Sequence, residues 1–499
     1  MSGWGGGYIT DITYMAGWYR QQSPAMMAIA ALLGNVNAGI PAPDDAISYL
    51  ELGCGQGYGA MLLAASNPKW TVTAIDFNPA HIAEARAWAA EAGLTNIRFL
   101  EADLSTLADE AQAATIPEAD FVSLHGLWTW VPPAVQAGVV KLLAAKVRPG
   151  GVVHISYNVL PGWGPAMGMQ RLLREGGNRL AFRSDQQVER AVTLAKDLLA
   201  AGAPQFTQSP LTRHLLDRMH TMPVSYLAHE YMNASWKPCF HSEVAAALSA
   251  AKLDWVASSQ LPENFGSLMF TPEQQEILNR FDDPIMRELI KDTCVDRLLR
   301  HDVFVRGARR LSPVARNDAL MDVSISLNIN PADMPAEADF PVGKADLNAA
   351  FYGPIAQALT HGPRKVGDLL EIPELVGSRD NPAEMIGILI GLDLAEPAIR
   401  RDAAPGEQAR AFNRVAAKNY LGTTGLSRGV GLASHRLGGG TMATVLDLMI
   451  MTHAMNGETD IDTLAGYVNA PPEQAEKVRE IVRISVEDKQ PRLRAAGVW

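Results

Sequence analysis

Short apolar runs alternate with amphipathic segments over the first third of the chain. The apolar runs predict β-strands at 46–52, 71–76, 97–102, 120–125 and 151–157. The segments between them have helical spacing and predict helices at 57–66, 79–92, 104–113 and 133–146. Strands that are apolar on both faces and alternate with helices indicate a doubly wound parallel sheet, which is a Rossmann-like α/β fold.

The pattern becomes helical after the fifth predicted strand. An amphipathic helix is then predicted at 241–252, and a strand follows at 253–258. A strand after so long a helical stretch indicates that the sheet resumes. We therefore expect 166–224 to be a helical insertion or lid over the carboxyl edge of the sheet, and 225–265 to complete the sheet.

The rest of the chain is predicted to be mainly helical. Residues 225–310 form a regulatory or middle region whose second half has the spacing of helices. Residues 311–345 are rich in proline and are predicted to be a linker or a small hairpin. Residues 346–499 contain several short helices, with a strand expected at 395–399 and a glycine-rich loop at 422–440.

The first predicted strand ends in a glycine-rich turn that indicates a nucleoside-containing cofactor. Glu51 closes the strand, glycines stand at Gly53, Gly55, Gly57 and Gly59, and Asp76 closes the next strand. Such a turn binds a nucleoside cofactor at the carboxyl edge of a parallel sheet. The glycines fit both the dinucleotide pattern G-x-G-x-x-G/A and the S-adenosylmethionine pattern E-x-G-x-G-x-G. An acid at the second strand end serves the ribose in both cases, so it does not decide.

Two acids favour S-adenosyl-L-methionine. Glu51 would repel a pyrophosphate, whereas it can attract the cationic amino and sulfonium groups of S-adenosylmethionine. Asp103 follows the third strand at the same edge, where it or its backbone neighbours can contact the adenine amine. We expect Asp76 to hold the ribose hydroxyls and Phe77 to pack on the adenine. The predicted cofactor-binding residues are Glu51, Gly53, Cys54, Gly55, Gly57, Asp76, Phe77, Ala102, Asp103, Leu104, His125 and Tyr14.

An aromatic, glycine-rich segment precedes the first predicted strand. It contains Trp4, Tyr8, Tyr14, Trp18 and Tyr19 and shows no clear period. The segment is either an arm packed on the edge of the sheet or a lid whose tyrosine hydroxyls reach the cofactor. The sequence leaves both readings open.

Composition limits the classes of protein that the chain can represent. With 499 residues, 47% hydrophobic and 19% charged, it is a globular chain too long for one core. A net charge of −11 argues against general nucleic-acid binding. Three widely spaced cysteines argue against a disulfide framework. The N-terminus lacks the features of a signal peptide, and no apolar run approaches the roughly 18 residues that span a bilayer, so we expect a cytoplasmic protein without a membrane span.

Two segments at the fourth and fifth strand ends resemble a narrower group of enzymes. LHGLWTWVPP at 124–133 and SYNVLPGW at 156–163 are similar to class I methyltransferases that carry a methyltransferase regulatory domain. The rickettsial protein-lysine methyltransferases are among them. The likeness continues at 226–244, which is similar to the start of the regulatory domain, and more loosely at 412–419 and 432–440.

The resemblance implies a domain organisation and an activity. It implies a Rossmann-like methyltransferase domain at 1–165, a helical middle domain, and a mainly α, winged-helix-like C-terminal domain at 346–499. It also implies an S-adenosylmethionine-dependent methyltransferase that modifies a lysine side chain of a protein. The start of the chain lacks most of the prolines of the family's entry segment.

A lysine acceptor demands a site that can remove its charge. Methyl transfer is an in-line displacement, so the protein must mainly position the nucleophile and exclude water. A lysine side chain has a pKa of about 10.4 in water and arrives charged. An apolar, aromatic-lined site lowers that pKa by desolvation, and aromatic faces still hold the ammonium by cation–π attraction.

Residues at the fourth and fifth strand ends are the candidates for this chemistry. His125 could relay a proton or contact the cofactor, or it could only pack at the strand end. Trp128 and Trp130 could line the channel of the methyl acceptor. The hydroxyl of Tyr157 and the amide of Asn158 could orient the lone pair of an amine.

Two further clusters are interpreted as structural. His229, Glu230, Cys239 and His241 lack the spacing of a zinc finger and are interpreted as capping or core residues, so no metal site is predicted. The arginines between residues 297 and 310 are interpreted as a solvated face that could dock an acidic protein surface.

The sequence is consistent with three functions. The first is a methyltransferase that modifies a protein, with lysine as the expected acceptor. The second is a small-molecule O- or N-methyltransferase whose extra domains serve as a lid or in dimerisation, and the third is a binding module that keeps the cofactor fold for regulation. More than 200 residues follow the sheet, which is more than a lid requires and favours the first. The expected partner is a protein substrate and not a nucleic acid, and a homodimer stays open.

Overall fold

The computed structural model describes residues 5–12, 14, 17–375, 381–422, 425–468 and 470–499. Trp4 of the aromatic N-terminal segment lies outside these residues. A seven-stranded sheet is built from β1 (Ser48–Leu52), β2 (Thr71–Asp76), β3 (Ile97–Glu101), β4 (Ala119–Leu124), β5 (Val147–Asn158), β6 (Leu253–Ser258) and β7 (Leu299–Arg306). The strand order is β3-β2-β1-β4-β5-β7-β6. Strands β2 and β3 lie on one side of β1, and β4 and β5 lie on its other side. The connections on the two sides therefore run in opposite directions from β1, and a crevice forms at the carboxyl ends of β1 and β4.

The sheet is mixed, whereas the sequence predicts a parallel one. Strands β1 to β5 are parallel, but β7 runs antiparallel to both β5 and β6. The prediction of helix over Leu299–Arg306 is wrong, because this strand carries buried polar residues that conceal its apolar character. The strand predicted at 253–258 is confirmed as β6, so the sheet does resume after the helical stretch.

The helices beside the first five strands lie close to their predicted positions, with one exception. They are α2 (Tyr58–Ser66), α3 (Pro79–Glu91) and α4 (Pro133–Lys146), while α1 (Pro24–Leu33), which precedes β1, was not predicted. The helix predicted at 104–113 is wrong, since 3-10 turns at Leu107–Asp109 and Ala111–Thr115 take its place. Leu107 and Ala113 are the buried residues of these turns, too few to give a continuous apolar stripe for an α-helix.

A helical unit follows β5, as the sequence predicts. Its helices are α5 (Met167–Leu180), α6 (Ser184–Ala200), α7 (Pro204–Thr207), α8 (Pro210–Arg218) and α9 (Val224–Met232). They pack around a hydrophobic core that includes Trp163, Leu173 and Phe206 and is separate from the two cores of the sheet. The unit therefore has an interior of its own while both of its ends join the sheet.

The segment between the helical unit and β7 contains four more helices. They are α10 (His241–Ser249), α11 (Gly266–Met269), α12 (Pro272–Leu278) and α13 (Pro284–Cys294). The first of these confirms the amphipathic helix predicted at 241–252. Because β6 and β7 are hydrogen-bonded into the central sheet, this segment and the methyltransferase-like strands form one structure.

Arg300 on β7 lies at the centre of a buried ionic network. Its guanidinium donates to Glu288, Asp292 and Asp302 at donor–acceptor distances of 2.6–3.1 Å, and the residue is 1% exposed. Arg297 is also buried and pairs with Asp292 at 3.0 Å. The interpretation of these arginines as a solvated face is wrong for Arg297 and Arg300, because acids on α13 and β7 compensate their charge inside the protein.

The C-terminal part combines short helices with small sheets. Its elements are α14 (Pro313–Met321), β8 (Ser324–Leu327), β9 (Glu337–Phe340), β10 (Gly343–Asp346), α15 (Ala349–Leu359), β11 (Arg364–Lys365), α16 (Val366–Leu370), α17 (Pro382–Leu389), β12 (Ala395–Pro397), α18 (Glu407–Tyr420), β13 (Gly429–Ser434), β14 (Gly439–Thr444), α19 (Val445–Met455), α20 (Ile461–Gly466), α21 (Ala475–Ile484) and α22 (Gln490–Ala495). Strands β11, β8 and β12 form an antiparallel sheet, and β9–β10 and β13–β14 are hairpins.

Two of three predictions for this part agree with the structure, and one does not. The region 311–345 contains the small hairpin that was one of its two predicted forms, together with α14 and β8. The strand predicted at 395–399 is confirmed in β12. The glycine-rich loop predicted at 422–440 is wrong, since β13 and the start of β14 occupy much of it. Glycines there allow close packing, because a side chain at Gly431 would collide with Trp18.

The β13–β14 hairpin packs on α2, the helix that follows the glycine turn. Tyr58 donates its hydroxyl proton to the carbonyl of Gly431 at 2.6 Å, and Ser66 donates to the carbonyl of Gly439 at 2.7 Å. These contacts tie the C-terminal part to α2. Within the described ranges of the chain, no helix has both the length and the apolar character that a membrane crossing requires.

Candidate active site

A cavity of about 880 Å³ lies at the carboxyl ends of β1 to β5. The N-terminal segment and helices α8 and α9 complete its wall. This volume is in the upper part of the usual range for ligand sites, roughly 300–1,000 Å³. The predicted site residues that line it are Tyr14, Glu51, Gly53, Cys54, Gly55, Asp76, Phe77, Asp103, Leu104, His125, Trp130 and Asn158.

The glycine turn brings backbone atoms to the cavity wall. Gly55 has a φ of +54°, a left-handed conformation that a glycine adopts without strain. Its N–H donates to the Asp76 carboxylate at 2.8 Å, which joins the turn to the end of β2. A Cβ atom on Gly55 would meet no protein atom within 4 Å, so a side chain there would project into open space. A ligand can therefore lie directly against this backbone.

Glu51 offers a buried carboxylate oxygen to a ligand. Its Oε1 accepts a hydrogen bond from Gln22 Nε2 at 3.2 Å, while its Oε2 is buried without a partner among the described residues. Burial raises the pKa of this carboxyl to about 7. A cationic group would satisfy the free oxygen, and a pyrophosphate would not. The turn and this acid thus fit the amino group and sulfonium of S-adenosylmethionine.

Asp76 and Phe77 stand beside the turn at the end of β2. Both carboxylate oxygens of Asp76 accept backbone N–H groups, from Gly55 at 2.8 Å and from Asn78 at 2.9 Å. Each oxygen keeps a second lone pair for a ribose hydroxyl. The ring of Tyr8 meets the ring of Phe77 edge-on, with centroids 5.8 Å apart. The contacts expected with ribose and adenine stay predictions.

Four predicted site residues do not line the cavity. Gly57 is the N-cap residue of α2 and is required by packing, because a Cβ there would collide with the Phe99 ring. Ala102 packs against the apolar core on one face of the sheet. Trp128, expected in the acceptor channel, is 4% exposed within the same core. Tyr157, expected to orient an amine, donates its hydroxyl instead to Asp302 at 2.5 Å in the buried ionic network.

The alternation of side chains along β5 explains why Tyr157 and Asn158 separate. Successive residues of a strand point to opposite faces, so only one of the two can face the cavity. Asn158 does so, and its Oδ1 accepts hydrogen bonds from Trp236 Nε1 at 3.0 Å and Thr129 Oγ1 at 3.3 Å. An indole N–H is only a donor, which fixes the amide orientation and leaves the Asn158 NH₂ group to donate elsewhere.

The N-terminal segment covers the cavity. Tyr8, Tyr14 and Tyr19 all line it, and the segment is held on the helical unit by two side chains. Asp11 accepts hydrogen bonds from the hydroxyl and the N–H of Ser184 at 2.6 and 2.9 Å, and His229 Nε2 lies 3.0 Å from the carbonyl of Ile12. This placement favours the lid over the arm on the sheet edge.

Glu230 faces the same cavity and was interpreted from the sequence only as a capping or core residue. Burial raises its pKa to about 8, and among the described residues it has no hydrogen-bond or ion-pair partner in the structure. Its negative charge contributes to raising the pKa values of Tyr8, Tyr14, Tyr19 and Tyr226. Helical spacing could have drawn notice to it, since Tyr226 and Glu230 are four residues apart on one face of α9.

Three histidines from three strands form a row beside the cavity. His125 follows β4, His154 lies within β5, and His301 lies within β7. His154 Nε2 and His301 Nδ1 are 3.3 Å apart with ring planes at 20°, which is the geometry of an N–H···N hydrogen bond. Nitrogens directed at each other do not converge on a common metal ion, so we interpret the row as hydrogen-bonded. Neither His154 nor His301 is among the residues predicted from the sequence.

A hydrogen-bond chain joins this row to Glu51. Gln22 Nε2 donates to both Glu51 Oε1 and Ser123 Oγ, at 3.2 and 3.0 Å. The Ser123 hydroxyl can then donate to His154 Nδ1 at 3.2 Å, which leaves the proton of neutral His154 on Nε2 to donate to His301. Burial lowers the pKa values of His154 and His301, the latter to about 4, so both rings are neutral at pH 7. His301 consequently carries its proton on Nε2.

Comparison with known proteins places the chain among methyltransferases. A family model described as a methyltransferase domain matches residues 50–151, and one described as a predicted methyltransferase regulatory domain matches residues 223–306. The first match contains the glycine turn, Asp76 and His125. The second contains Glu230 and His301, so residues from both matched regions line one cavity.

Individual relatives extend the similarity over most of the chain. Uncharacterized protein sll1526 of a Synechocystis species is 32% identical over 397 residues, which are 79% of this chain and 77% of the relative. The structure of PKMT2 from Rickettsia typhi in complex with AdoHcy matches with a TM-score of 0.69 over 97% of this chain and 99% of that chain, at 16% identity. A trans-aconitate 2-methyltransferase from Methylobacterium nodulans is 29% identical over 126 residues, 25% of this chain and 42% of the relative.

The fold and the site together define a class I methyltransferase that uses S-adenosyl-L-methionine. The strand order, the glycine turn and the acid at the end of β1, whose Oε2 has no partner among the described residues, all agree with this class. The chain belongs to the family of such enzymes that carry a methyltransferase regulatory domain.

Proposed function

We propose that this methyltransferase modifies a lysine side chain of a protein. The observation that carries the proposal is Glu230, a carboxyl without a partner among the described residues, which lines the cavity together with Tyr8, Tyr14, Tyr19 and Tyr226. A carboxylate surrounded by aromatic rings attracts a primary ammonium by charge and by cation–π contact, the latter worth about 0.5–2 kcal/mol.

The charge of the cavity wall supports a cationic acceptor. Glu51, Asp76, Asp103 and Glu230 all line the cavity. Within the described part of the chain, Arg218 is the one lysine or arginine in that lining. Such an excess of acids favours both a cationic cofactor and a cationic acceptor over an anionic one.

Different walls of the cavity serve different parts of methyl transfer. S-adenosylmethionine supplies an already activated methyl group when it is bound at the glycine turn. Glu51 and the turn backbone hold its cationic end, and the tyrosines of the N-terminal lid exclude water from the acceptor side. Asn158 and His301 present N–H donors that can orient groups next to the acceptor nitrogen.

The size and exposure of the site favour a protein as the carrier of that lysine. Tyr19 lines the cavity and is 38% exposed, so a long side chain can enter from outside while its backbone stays at the surface. The resemblance to the rickettsial protein-lysine methyltransferases points the same way. We assign the C-terminal part, with its β11-β8-β12 sheet and helices α15 to α17, as a winged-helix-like element that binds the substrate protein.

A small-molecule O- or N-methyltransferase is the second candidate. It is favoured by the likeness to the trans-aconitate 2-methyltransferase over 25% of the chain. Incubating the purified enzyme with tritiated S-adenosylmethionine and a lysate of its host separates the two. Label in discrete protein bands is the expected result, whereas label confined to the low-mass fraction would reject the protein acceptor and support the second candidate.

A further inference from the structure

Methylation of a lysine requires that a proton leave its nitrogen first. This inference rests on the proposed function and concerns how the site performs it. At neutral pH the side chain is an ammonium without a lone pair, since its pKa in water is about 10.4. Desolvation and aromatic walls lower that pKa, but the proton still needs an acceptor within the closed cavity.

Most titratable groups in the cavity wall are unsuited to accept it. The free oxygen of Glu51 is assigned to the cation of the cofactor, and both oxygens of Asp76 accept backbone N–H groups. Asp103 is exposed, and its Oδ1 accepts the N–H of Ser105 at 2.8 Å. His125 and His301 resist a proton, because burial lowers their pKa values. The tyrosines of the wall keep their own protons, because burial raises theirs.

Glu230 remains, and its surroundings suit the task. Its side chain contributes to the wall of the cavity, and no described residue donates a hydrogen bond to it or forms an ion pair with it. The titratable groups whose pKa values its charge raises are Tyr8, Tyr14 and Tyr19 of the lid and Tyr226 and Tyr231 of α9. Arg218 of α8 and His229 of α9 line the same cavity. Phenol rings shield the carboxyl from water without neutralising it.

We propose that Glu230 is the general base that takes the proton from the acceptor ammonium. The N–H bond breaks and its proton moves to the Glu230 carboxylate. The freed lone pair forms the new N–C bond as the methyl carbon leaves sulfur, which keeps the bonding electrons. The product is a methylammonium, and Glu230 returns its proton to solvent when the product leaves. The regulatory domain thereby supplies a catalytic residue to the active site, since Glu230 lies within residues 223–306.

The pKa of Glu230 fits this role. Burial raises it to about 8, near the pH at which a cellular enzyme works, and a base is most effective when its pKa is close to the working pH. The group must be ionised to accept a proton, so kcat/KM should rise with pH up to about 8 and then level off. The pH dependence of kcat/KM reports the free enzyme, in which no ammonium yet perturbs the carboxyl.

The test compares Glu230→Gln and Glu230→Asp with the wild-type enzyme. Glutamine keeps the size of the side chain and cannot accept a proton, whereas aspartate keeps the carboxylate at a shorter reach. Glu276→Gln is the matched control, because Glu276 is an exposed glutamate of the same regulatory domain. Tritium transfer to all acceptors of a host lysate, protein and low-mass alike, is measured between pH 6 and 9. S-adenosylmethionine is kept at saturation for each variant at every pH, so that the titration of Glu51 does not contribute to the profile.

Glu230→Gln is expected to lose on the order of 100-fold or more in rate and to lose the rising limb of the pH profile. Glu230→Asp should recover part of both, and Glu276→Gln should match the wild type. An unchanged rate in Glu230→Gln overturns the proposal, and so does a lowered rate that keeps the wild-type limb, which would assign Glu230 to positioning. The nature of the labelled acceptor tests the proposed function separately.

A spectroscopic measurement keeps the proposal testable without turnover. The full-length protein, saturated with S-adenosylhomocysteine, is titrated while the infrared band of protonated carboxyl groups is recorded. One component of that band should vanish with a midpoint near pH 8 in the wild type and in Glu276→Gln, and should be missing in Glu230→Gln. The same titration curve in all three proteins would overturn the assignment.

Discussion

His154 Nε2 on β5 and His301 Nδ1 on β7 face each other at 3.3 Å. β5 is the last of the parallel strands of the methyltransferase sheet, and β7 closes the matched regulatory domain, so this hydrogen bond joins the two. Through Ser123 and Gln22 it continues to Glu51 at the cofactor turn. The regulatory domain is therefore part of the active site in its hydrogen bonding as well as in its strand pairing.

Ser123→Ala should disturb this chain without emptying the cofactor site. His154 would lose the partner of its Nδ1, and the proton positions of His154 and His301 would no longer be fixed. We expect a lower kcat with S-adenosylhomocysteine affinity within twofold of wild type, measured by steady-state kinetics and calorimetry. Ser249→Ala on the surface of α10 is the control. An unchanged kcat would show that the chain has no part in the reaction.

Glu51→Gln should weaken cofactor binding in a pH-dependent way. Burial raises the pKa of Glu51 to about 7, and the charged form is the one that pairs with a cationic group. Wild-type affinity for S-adenosylmethionine should therefore increase as the pH rises through 7, while the variant should lack this increase. At pH 8 we expect a loss of tenfold or more, since a hydrogen bond to a charged group is worth about 1.5–3 kcal/mol. Calorimetric curves with the same pH slope would contradict this assignment.

Asp76→Ala should weaken S-adenosylmethionine binding by about tenfold or more, as expected when a charge-assisted pair of ribose contacts is lost. The change also removes the carboxylate that holds the N–H of Gly55. Asp109→Ala, at an exposed ion pair with Lys141, provides a control for the loss of one acid. Calorimetry that finds wild-type affinity in Asp76→Ala would refute the placement of the ribose.

Arg300→Ala should destabilise the fold by about 3–5 kcal/mol, because it leaves buried acids without their counter-charge. Glu288, Asp292 and Asp302 would remain in the interior, where all three now accept from this guanidinium. Arg309→Ala, at an exposed arginine nearby, should change the free energy of unfolding little. Urea denaturation of both variants makes the comparison, and equal midpoints would show that the network adds nothing to stability.

The sequence predicted the parts of the fold whose side chains match their surroundings. Strands β1 to β5 read as apolar runs because both of their faces are buried, and the glycine turn has a pattern of its own. Strand β7 was not predicted, because its interior residues include the polar residues Arg300, His301 and Asp302. His301 and Asp302 also have partners far along the chain, since His154 is 147 residues from His301 and Tyr157 is 145 residues from Asp302. Local periodicity contains no trace of such partners.

The residues of the candidate site likewise divide into those that the sequence predicts and those that it does not. Residues next to the strand ends, such as Glu51, His125 and Asn158, could be named because chain order places them at one edge. Trp128 and Tyr157 could not be excluded, since the sequence does not tell which face of the sheet a strand-end residue presents. Glu230 reaches the cavity only through the packing of α9 against the lid, which is a tertiary feature.

The most direct test of lysine methylation is chemical identification of the methylated residue. Protein labelled by the purified enzyme and methyl-tritiated S-adenosylmethionine is hydrolysed to amino acids and separated by chromatography with authentic standards. We predict that the label elutes with Nε-methylated lysine. Label that elutes with methylated arginine or histidine, or that is released as methanol from a carboxyl ester, would contradict the assignment of lysine as the acceptor.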